Sequence, residues 1–264
     1  LWSYLQAHSS DPGRIPPQWQ DFVNSVGELL PVAPSRLEWQ PGKATYCRVC
    51  CVLRPERAHH CMVCGFCVMR MDHHCPWLGN CVGFGNHKFF FLTLGYSVLL
   101  SLFSLGSAGQ ELFHCLLSAM GHEVHSGDWD DRILEKSEQF CFLIFGAVAL
   151  CFTMGLSVVL FIHLSMAVDN STSIEDNYDN IPNPFKQKGA MLNLATIFGA
   201  PGMDWVFPIA PVRPTSDGVS FQKSNEERLH SFDESLWPES TDTWRLRYDV
   251  RDARWERDAS GSGF

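Results

Sequence analysis

Two stretches of this chain carry no charged residue, Phe89 to Gln110 and Phe140 to Val168. At about 1.5 Å per residue the first would span roughly 33 Å as a helix, close to the ~30 Å hydrocarbon core of a bilayer. The second is longer than a crossing needs, so its last turns are expected to project from the membrane. His163 is its one strongly polar side chain. Two such runs in one chain fit poorly in a soluble core and predict transmembrane helices at 89–110 and 140–168. Residues 111–139 between them carry several acids, His114, His122 and His125, with Arg132 and Lys136 as the fixed cations. That composition predicts a short, solvated, non-cytosolic loop.

Elsewhere polarity alternates on shorter scales. Residues 1–42 open with apolar Leu1–Leu5, expected to be the end of an upstream membrane helix. Asp11-Pro12-Gly13 and Pro16-Pro17 then break any helix. Phe22, Val23, Val26, Leu29 and Leu30 recur at helical spacing and predict a short amphipathic helix that serves packing. Pro31–Gly42 reads as a linker. Beyond the second apolar run, 169–214 is polar, then proline-rich around Trp205 and Phe207, and reads as a cytosolic segment. Residues 215–264 mix Ser, Asp, Glu and Arg around Trp237, Trp244 and Trp255 without sustained period, which predicts a disordered tail.

Residues 43–88 follow neither period, and cysteine spacing organises them instead. Eight of the eleven cysteines lie there. Cys47, Cys50, His60 and Cys67 form C-x2-C-x9-H-x6-C, and Cys61, Cys64, His74 and Cys81 repeat the pattern at an offset of fourteen. Two interleaved Cys3His sets suggest two structural zinc sites, because each set supplies four tetrahedral donors and closes the ion to water. The alternative is a disulfide framework of the kind found in small secreted domains. The odd cysteine total and the membrane-type flanks favour reduced, metal-ligating thiols. A region folded by metal predicts short hairpins rather than an apolar core.

One cysteine is left over. Cys75 occupies the place that would open a third copy, but Leu78 stands where its partner cysteine would be. It lies in Asp72-His73-His74-Cys75, beside an imidazole able to take its proton and a carboxylate able to orient that imidazole, the ingredients of an activated nucleophile. The residues alone also allow a buried spare thiol or a ligand exchanged with a neighbour.

The run from Cys47 through Asp72-His73-His74-Cys75 to Cys81 and Asn86 resembles the cysteine-rich domain of the DHHC protein S-acyltransferases, or palmitoyltransferases. The resemblance implies a multi-pass, mainly α-helical membrane protein. Its zinc domain, cytosolic and built of short hairpins, would be inserted before the first complete span. It implies an acyl-CoA-dependent acyltransferase that moves a long-chain acyl group to cysteines of cytosol-facing or membrane-associated proteins. Cys75 would be the nucleophile, forming a thioester intermediate, with His73 the base and Asp72 its orienting group. Asp11-Pro12-Gly13 is similar to a family sequence that follows an upstream membrane helix. Thr172-Ser173-Ile174-Glu175 is similar to the family's TTxE motif, with Ser173 in place of its second threonine, and is expected to reach Asp72 or the zinc domain. Asn193 falls in a C-terminal motif where an asparagine is structural, and Phe185 stands where tyrosine is frequent.

A net charge of −9 argues against nucleic acid as the main partner. Local cations remain, and Arg54, Arg57 and Lys88 are candidates for the phosphates of acyl-CoA. Lys and Arg near the zinc region place it on the cytosolic side by the positive-inside rule, which does not distinguish Golgi, endoplasmic reticulum and plasma membrane. Two competing functions use the same residues. One is a zinc hydrolase with an open site at Asp72, His73 or Cys75. The other is a non-catalytic membrane adaptor whose zinc fold docks proteins.

Overall fold

The computed structural model describes residues 1–121, 136–224, 244–245 and 247–250. The chain forms two compact units, Leu1–Leu92 with His163–Phe264, and Thr93–Ile162.

The first unit starts with α1 (Trp2–Ser9) and α2 (Pro17–Val26). Proline at the first turn of α2 costs no hydrogen bond, and Gly27, at φ 54°, ends it. The helix therefore begins and ends earlier than its apolar spacing suggests, and Gly27–Leu29 continues as a 3-10 turn. Seven short strands follow: β1 (Val32–Ala33), β2 (Ala44–Cys47), β3 (Val52–Arg54), β4 (His59–Cys61), β5 (Phe66–Val68), β6 (His73–Cys75) and β7 (Asn80–Val82).

Six of these strands make three antiparallel hairpins in one register. Thr45 pairs with Arg54 and Cys47 with Val52; His59 with Val68 and Cys61 with Phe66; His73 with Val82 and Cys75 with Asn80. Each pairing lies fourteen residues after the equivalent one before it. Each hairpin also turns through a left-handed residue at the same place, Cys51 (φ 56°), Gly65 (φ 76°) and Gly79 (φ 59°). The twofold repeat of ligands is thus carried on a threefold repeat of backbone. Hairpins of three- and four-residue strands are marginal alone, so these depend on what ties them together.

Asparagines and the Asp11-Pro12-Gly13 turn supply part of that tie. Asn80 Nδ2 donates to the carbonyls of Ala7, His8 and Ser10, and Asn86 Nδ2 to those of Ala7 and Cys81. Two of the orphan carbonyls at the end of α1, those of Ala7 and His8, are thereby satisfied. Asp11 Oδ1 accepts the amides of Gly13 and Arg14, both at 2.8 Å, and fixes the turn. Gly13 sits at φ 107°, its carbonyl accepts the Met69 amide, and the Pro12 carbonyl accepts the Gly85 amide. A Cβ at Gly13 would come within 3.2 Å of the Gly85 nitrogen, so glycine is required there for approach as well as torsion.

The apolar core of this unit lies on α2. Trp19, Phe22, Val23 and Val26 bury one face together with Leu30, Ala44, Met69, Val219, Trp244, Tyr248 and Val250. The last four belong to the stretch expected to be a disordered tail. Ser216–Phe221, Trp244, Tyr248 and Val250 are instead anchored, with side chains buried among aromatic neighbours. The Tyr248 hydroxyl accepts the Glu56 amide at 2.8 Å and donates to the Val219 carbonyl at 2.9 Å. Contacts nearly two hundred residues apart in sequence leave no local period to read. Trp237 and Trp255 lie outside the described residues.

The long helices are α3 (His87–Ser107), α4 (Gly109–Ala119) and α5 (Lys136–Val168), and α6 (Ala190–Phe198) follows in the first unit. The first apolar run therefore forms a helix that stops at Ser107. The chain bends at Ala108 and is helical again to Ala119, where a loop was expected from residue 111. His114 lies on α4, while His122 and His125 are outside the described residues. Both α3 and α5 are long and apolar enough to cross a membrane, and only 28% and 6% of their most apolar windows are buried. A soluble core helix would be mostly covered. Within the second unit Leu100, Phe103, Phe145 and Phe152 are exposed, as lipid-facing side chains would be.

Candidate active site and metal centres

The hairpin repeat explains how the metal-ligating residues come together. Each hairpin offers a knuckle at its turn and a facing pair on its strands. The first knuckle, Cys47 and Cys50, meets the strand pair His60 and Cys67 of the second hairpin. The second knuckle, Cys61 and Cys64, meets His74 and Cys81 of the third. In the first set Cys50 Sγ and Cys67 Sγ lie 3.2 and 3.7 Å from His60 Nδ1, and the two sulfurs 3.8 Å apart. In the second set Cys61, Cys64 and Cys81 Sγ lie 3.7, 3.3 and 3.7 Å from His74 Nδ1. A tetrahedron with Zn–S bonds of ~2.3 Å has edges of about 3.8 Å, so both donor sets fit zinc in number, chemistry and spacing. Burial first, and neighbouring thiols second, push Cys67 and Cys81 well up. A divalent cation held there would remove that repulsion and stabilise the thiolates.

The third knuckle has no following hairpin to meet. It carries Cys75, and its backbone repeats the other two. In each knuckle the amides two and three residues on point at the first sulfur: Val49 and Cys50 at Cys47, Val63 and Cys64 at Cys61, Trp77 and Leu78 at Cys75. Burial opposes ionisation at all three, yet all three thiols are shifted down. Cys75 differs in having His73 as its further partner.

His73 and Asp72 are held as tightly. Burial would lower His73, but its 2.6 Å Nδ1 hydrogen bond to Asp72 Oδ2 and the adjacent Cys75 raise it to about 9. Burial would raise Asp72, but the bond from His73, the field of His87 and His73 and the Ser173 amide hold it well below the usual carboxylate range. The pair therefore rests as imidazolium and carboxylate, with a thiol beside them biased to thiolate. Ser173 donates its amide to Asp72 Oδ1 at 2.8 Å and its hydroxyl to Oδ2 at 3.0 Å. The serine thus makes the contact that its motif suggested.

Thr172 and Glu175 set that contact in place. The Thr172 amide donates to Glu175 Oε2 at 3.1 Å, and the Glu175 amide faces Thr172 Oγ1 at 3.4 Å, a reciprocal box around the turn. Glu175 also takes a two-pronged bond from Arg57, Nε to Oε1 and Nη2 to Oε2, both 2.7 Å. Arg57 donates further to Asn170, and its guanidinium lies 4.7 Å from each of the Phe185 and Phe221 ring centres. Phenylalanine at 185 thus supplies an aromatic face to a cation. Asn193 Nδ2 donates to the carbonyls of Val168 and Gln187, and its Oδ1 accepts the Gln187 amide, joining the end of α5 to the following segment.

These bonds revise the phosphate candidates. Arg57 is 2% exposed at its side chain and fully engaged with Glu175 and Asn170, so it is a structural cation. Lys88 is buried and pairs with Asp204 at 3.5 Å. Arg54 is buried and bonds to Thr45 and Ser35, although it borders a cavity of about 30 Å³ together with exposed Arg36 and Lys43. Counting positive charges near a motif does not reveal which of them face acids far off in the chain. Reading for motifs also gave no role to Arg70, Asn170 and His163. Arg70 is buried, bonding Asn170 and His87. A buried-type position filled by a polar residue was the available signal at His163 alone.

The DHHC palmitoyltransferase family profile matches residues 40–179. The chain is 31% identical over 210 residues to "Probable protein S-acyltransferase 12" of Arabidopsis thaliana, covering 79% of this chain and 68% of that protein. It is 32% identical over 212 residues to "Palmitoyltransferase ZDHHC20-B" of Danio rerio, covering 78% and 60%. With "Palmitoyltransferase ZDHHC2" of Danio rerio it shares 29% over 208 residues, covering 76% and 52%. The matched span holds both Cys3His sets, the spare cysteine and the Ser173 contact, and the chain belongs to the DHHC palmitoyltransferase family.

Proposed function

We propose that this protein S-acyltransferase uses Cys75 to carry a long-chain acyl group from acyl-CoA to cysteines of proteins at the cytosolic membrane face. The Asp72–His73–Cys75 arrangement carries the proposal: a thiol biased to thiolate, a protonated imidazole and a fixed carboxylate, none of them needed by either metal set. In the first half-reaction the Cys75 thiolate attacks the thioester carbonyl. The bond to CoA sulfur breaks, and His73 gives its proton to the departing CoA thiolate. In the second, His73 takes the proton of a substrate cysteine, whose sulfur attacks acyl-Cys75. The Cys75 thiolate leaves, ready to be paired again with imidazolium.

The amides of Trp77 and Leu78 stabilise the thiolate without contributing a proton, as the equivalent amides do for Cys47 and Cys61. Zinc, held by Cys47, Cys50, His60 and Cys67 and by Cys61, Cys64, His74 and Cys81, would fix the three hairpins against one another. The two Cys3His sets leave no position for a water nucleophile at their ions, and both Asp72 oxygens are already bonded to His73 and Ser173, which disfavours a hydrolase at Asp72. An adaptor would have no use for Cys75 beside His73. α3 and α5 supply the membrane crossings, and apolar surface favours a long acyl chain by about 0.8 kcal/mol per buried CH2. Cytosolic placement of the hairpins agrees with their need for reduced thiols. Among the cations, Arg54 with exposed Arg36 and Lys43 makes the better phosphate site, and Arg54→Ala with Lys43→Ala should raise KM for acyl-CoA.

The test is transfer onto the protein itself, in detergent, with labelled palmitoyl-CoA, comparing native protein with Cys75→Ser at equal zinc content. Hydroxylamine-labile label on the native chain alone is expected. Equal label on a folded Cys75→Ser protein removes Cys75 as the nucleophile.

A further inference from the structure

We infer that His163 is a positioning residue for the Cys75 reaction, acting with Ser173 on Asp72 Oδ2 to keep Asp72 turned toward His73. The inference rests on the reading of Asp72, His73 and Cys75 given above. His163 is the one strongly polar side chain in the 140–168 run of α5, and it is 12% exposed. Its Nδ1 lies 3.5 Å from Asp72 Oδ2, the oxygen that accepts His73 Nδ1 at 2.6 Å. That Nδ1 is itself buried and makes no hydrogen bond.

The surroundings of the ring are aromatic. Phe90 meets it edge-on at 4.9 Å between centroids, Phe91 at 6.4 Å, and His73 lies against it at 5.4 Å with a tilt of 36°. Packing alone would be served by a leucine or a phenylalanine, which carry no polar atom to strand. What a histidine adds is an N–H that faces one carboxylate oxygen. Ser173 fixes the carboxylate from the backbone side through both oxygens. His163 adds a further donor facing Oδ2, which would resist rotation of Asp72 away from His73 and so keep His73 on Cys75. A closure of about half an ångström would make the contact a full hydrogen bond, and catalytic hydrogen bonds are often long before substrate is bound.

The test separates the donor from the ring. His163→Asn keeps an N–H near the place of Nδ1 without the ring, and His163→Phe keeps the ring without the donor. Single-turnover acylation by labelled palmitoyl-CoA is measured in membranes or detergent for both and for the native chain. Zinc is counted in each, and Cys75→Ser is run beside them. The expected result is a rate lowered about tenfold or more in His163→Phe at unchanged KM, with most of the loss recovered in His163→Asn. A His163→Phe rate equal to native overturns the inference, as does an Asn variant as slow as Phe with both zincs in place. A third zinc bound by the native chain and lost in His163→Phe also overturns it, by making Asp72, His73 and His163 a metal site. If His163→Phe fails to fold, the Asn variant decides, support being a rate within about fivefold of native and overturn a slower one. Label persisting on Cys75→Ser refutes the nucleophile instead and is read independently of the His163 pair.

Discussion

Removing Glu175 tests whether the turn after α5 is what holds Asp72. The Arg57–Glu175 pair is 2% and 1% exposed, with two bonds of 2.7 Å. Breaking one side of a buried pair costs about 3–5 kcal/mol, because the other charge is left without its counterion. Glu175→Ala strands Arg57 with Asn170 and two aromatic faces, and frees the Thr172 amide. Against a typical total of 5–15 kcal/mol that is a large share of stability. Glu175→Gln keeps the shape and one acceptor, so about 1.5–3 kcal/mol is expected. The double change Arg57→Met with Glu175→Leu removes both charges and should cost less than the two single changes added together, by roughly 2 kcal/mol or more. Denaturation in detergent, followed by tryptophan fluorescence and by zinc release, gives the stabilities, and the acylation rate of Cys75 reports the turn. A cycle that adds within about 0.5 kcal/mol, or a Glu175→Ala protein of native stability, refutes the coupling.

Ser173→Ala removes the hydroxyl bond to Asp72 but keeps the amide bond; acylation should fall about tenfold, and Ser173→Thr should restore it. Cys51 holds φ 56° where the other two hairpins have glycine; Cys51→Gly should raise stability by up to about 1 kcal/mol in a denaturant melt, with the acylation rate unchanged. The folded His73 pKa of about 9 exceeds the unfolded value near 6.5. The stabilisation from its ionised pair with Asp72 is therefore complete below pH 6.5 and lost as pH rises through 9. Native protein should lose Tm between pH 7 and 10 more steeply than Asp72→Asn, and parallel curves would remove the ion pair as the cause.

The ligand residues were legible because metal chemistry imposes spacing on sequence, and an offset of fourteen needs no structure to be seen. The third copy was not, because Tyr46 and Leu53 stand at the first hairpin's equivalents of His60 and Cys67, and Leu78 at the third hairpin's equivalent of Cys64. Its opening cysteine, Cys75, marks its place in the sequence, and the left-handed residue shared by Cys51, Gly65 and Gly79 marks it in the backbone. In two of the copies that signal is a glycine, which is too common to register. The anchored segments around Val219 and Tyr248 were hidden for another reason. Each supplies a few side chains to a core built mainly on α2, too few to give a period of its own. The partners of Arg57 were hidden likewise, since an acid 118 residues away leaves no trace beside the arginine.

The threefold backbone also gives a physical reason for the place of the proposed nucleophile. A knuckle creates an amide-stabilised thiolate whether or not a metal arrives to use it. In the first two hairpins the strand pair of the next hairpin completes a donor set and consumes that thiolate in binding. At the third hairpin the series stops. α3 begins at His87, five residues after β7 ends at Val82, and offers no further His–Cys pair. The knuckle amides remain, Leu78 replaces the second sulfur, and His73 supplies the positive partner that metal would have supplied. On the proposed function, reactivity at Cys75 would be the unused coordination of a zinc-linked series, left where the chain enters its first apolar helix. Restoring a ligand at position 78 alone would not close such a site, because the strand pair of a fourth hairpin is what the sequence lacks.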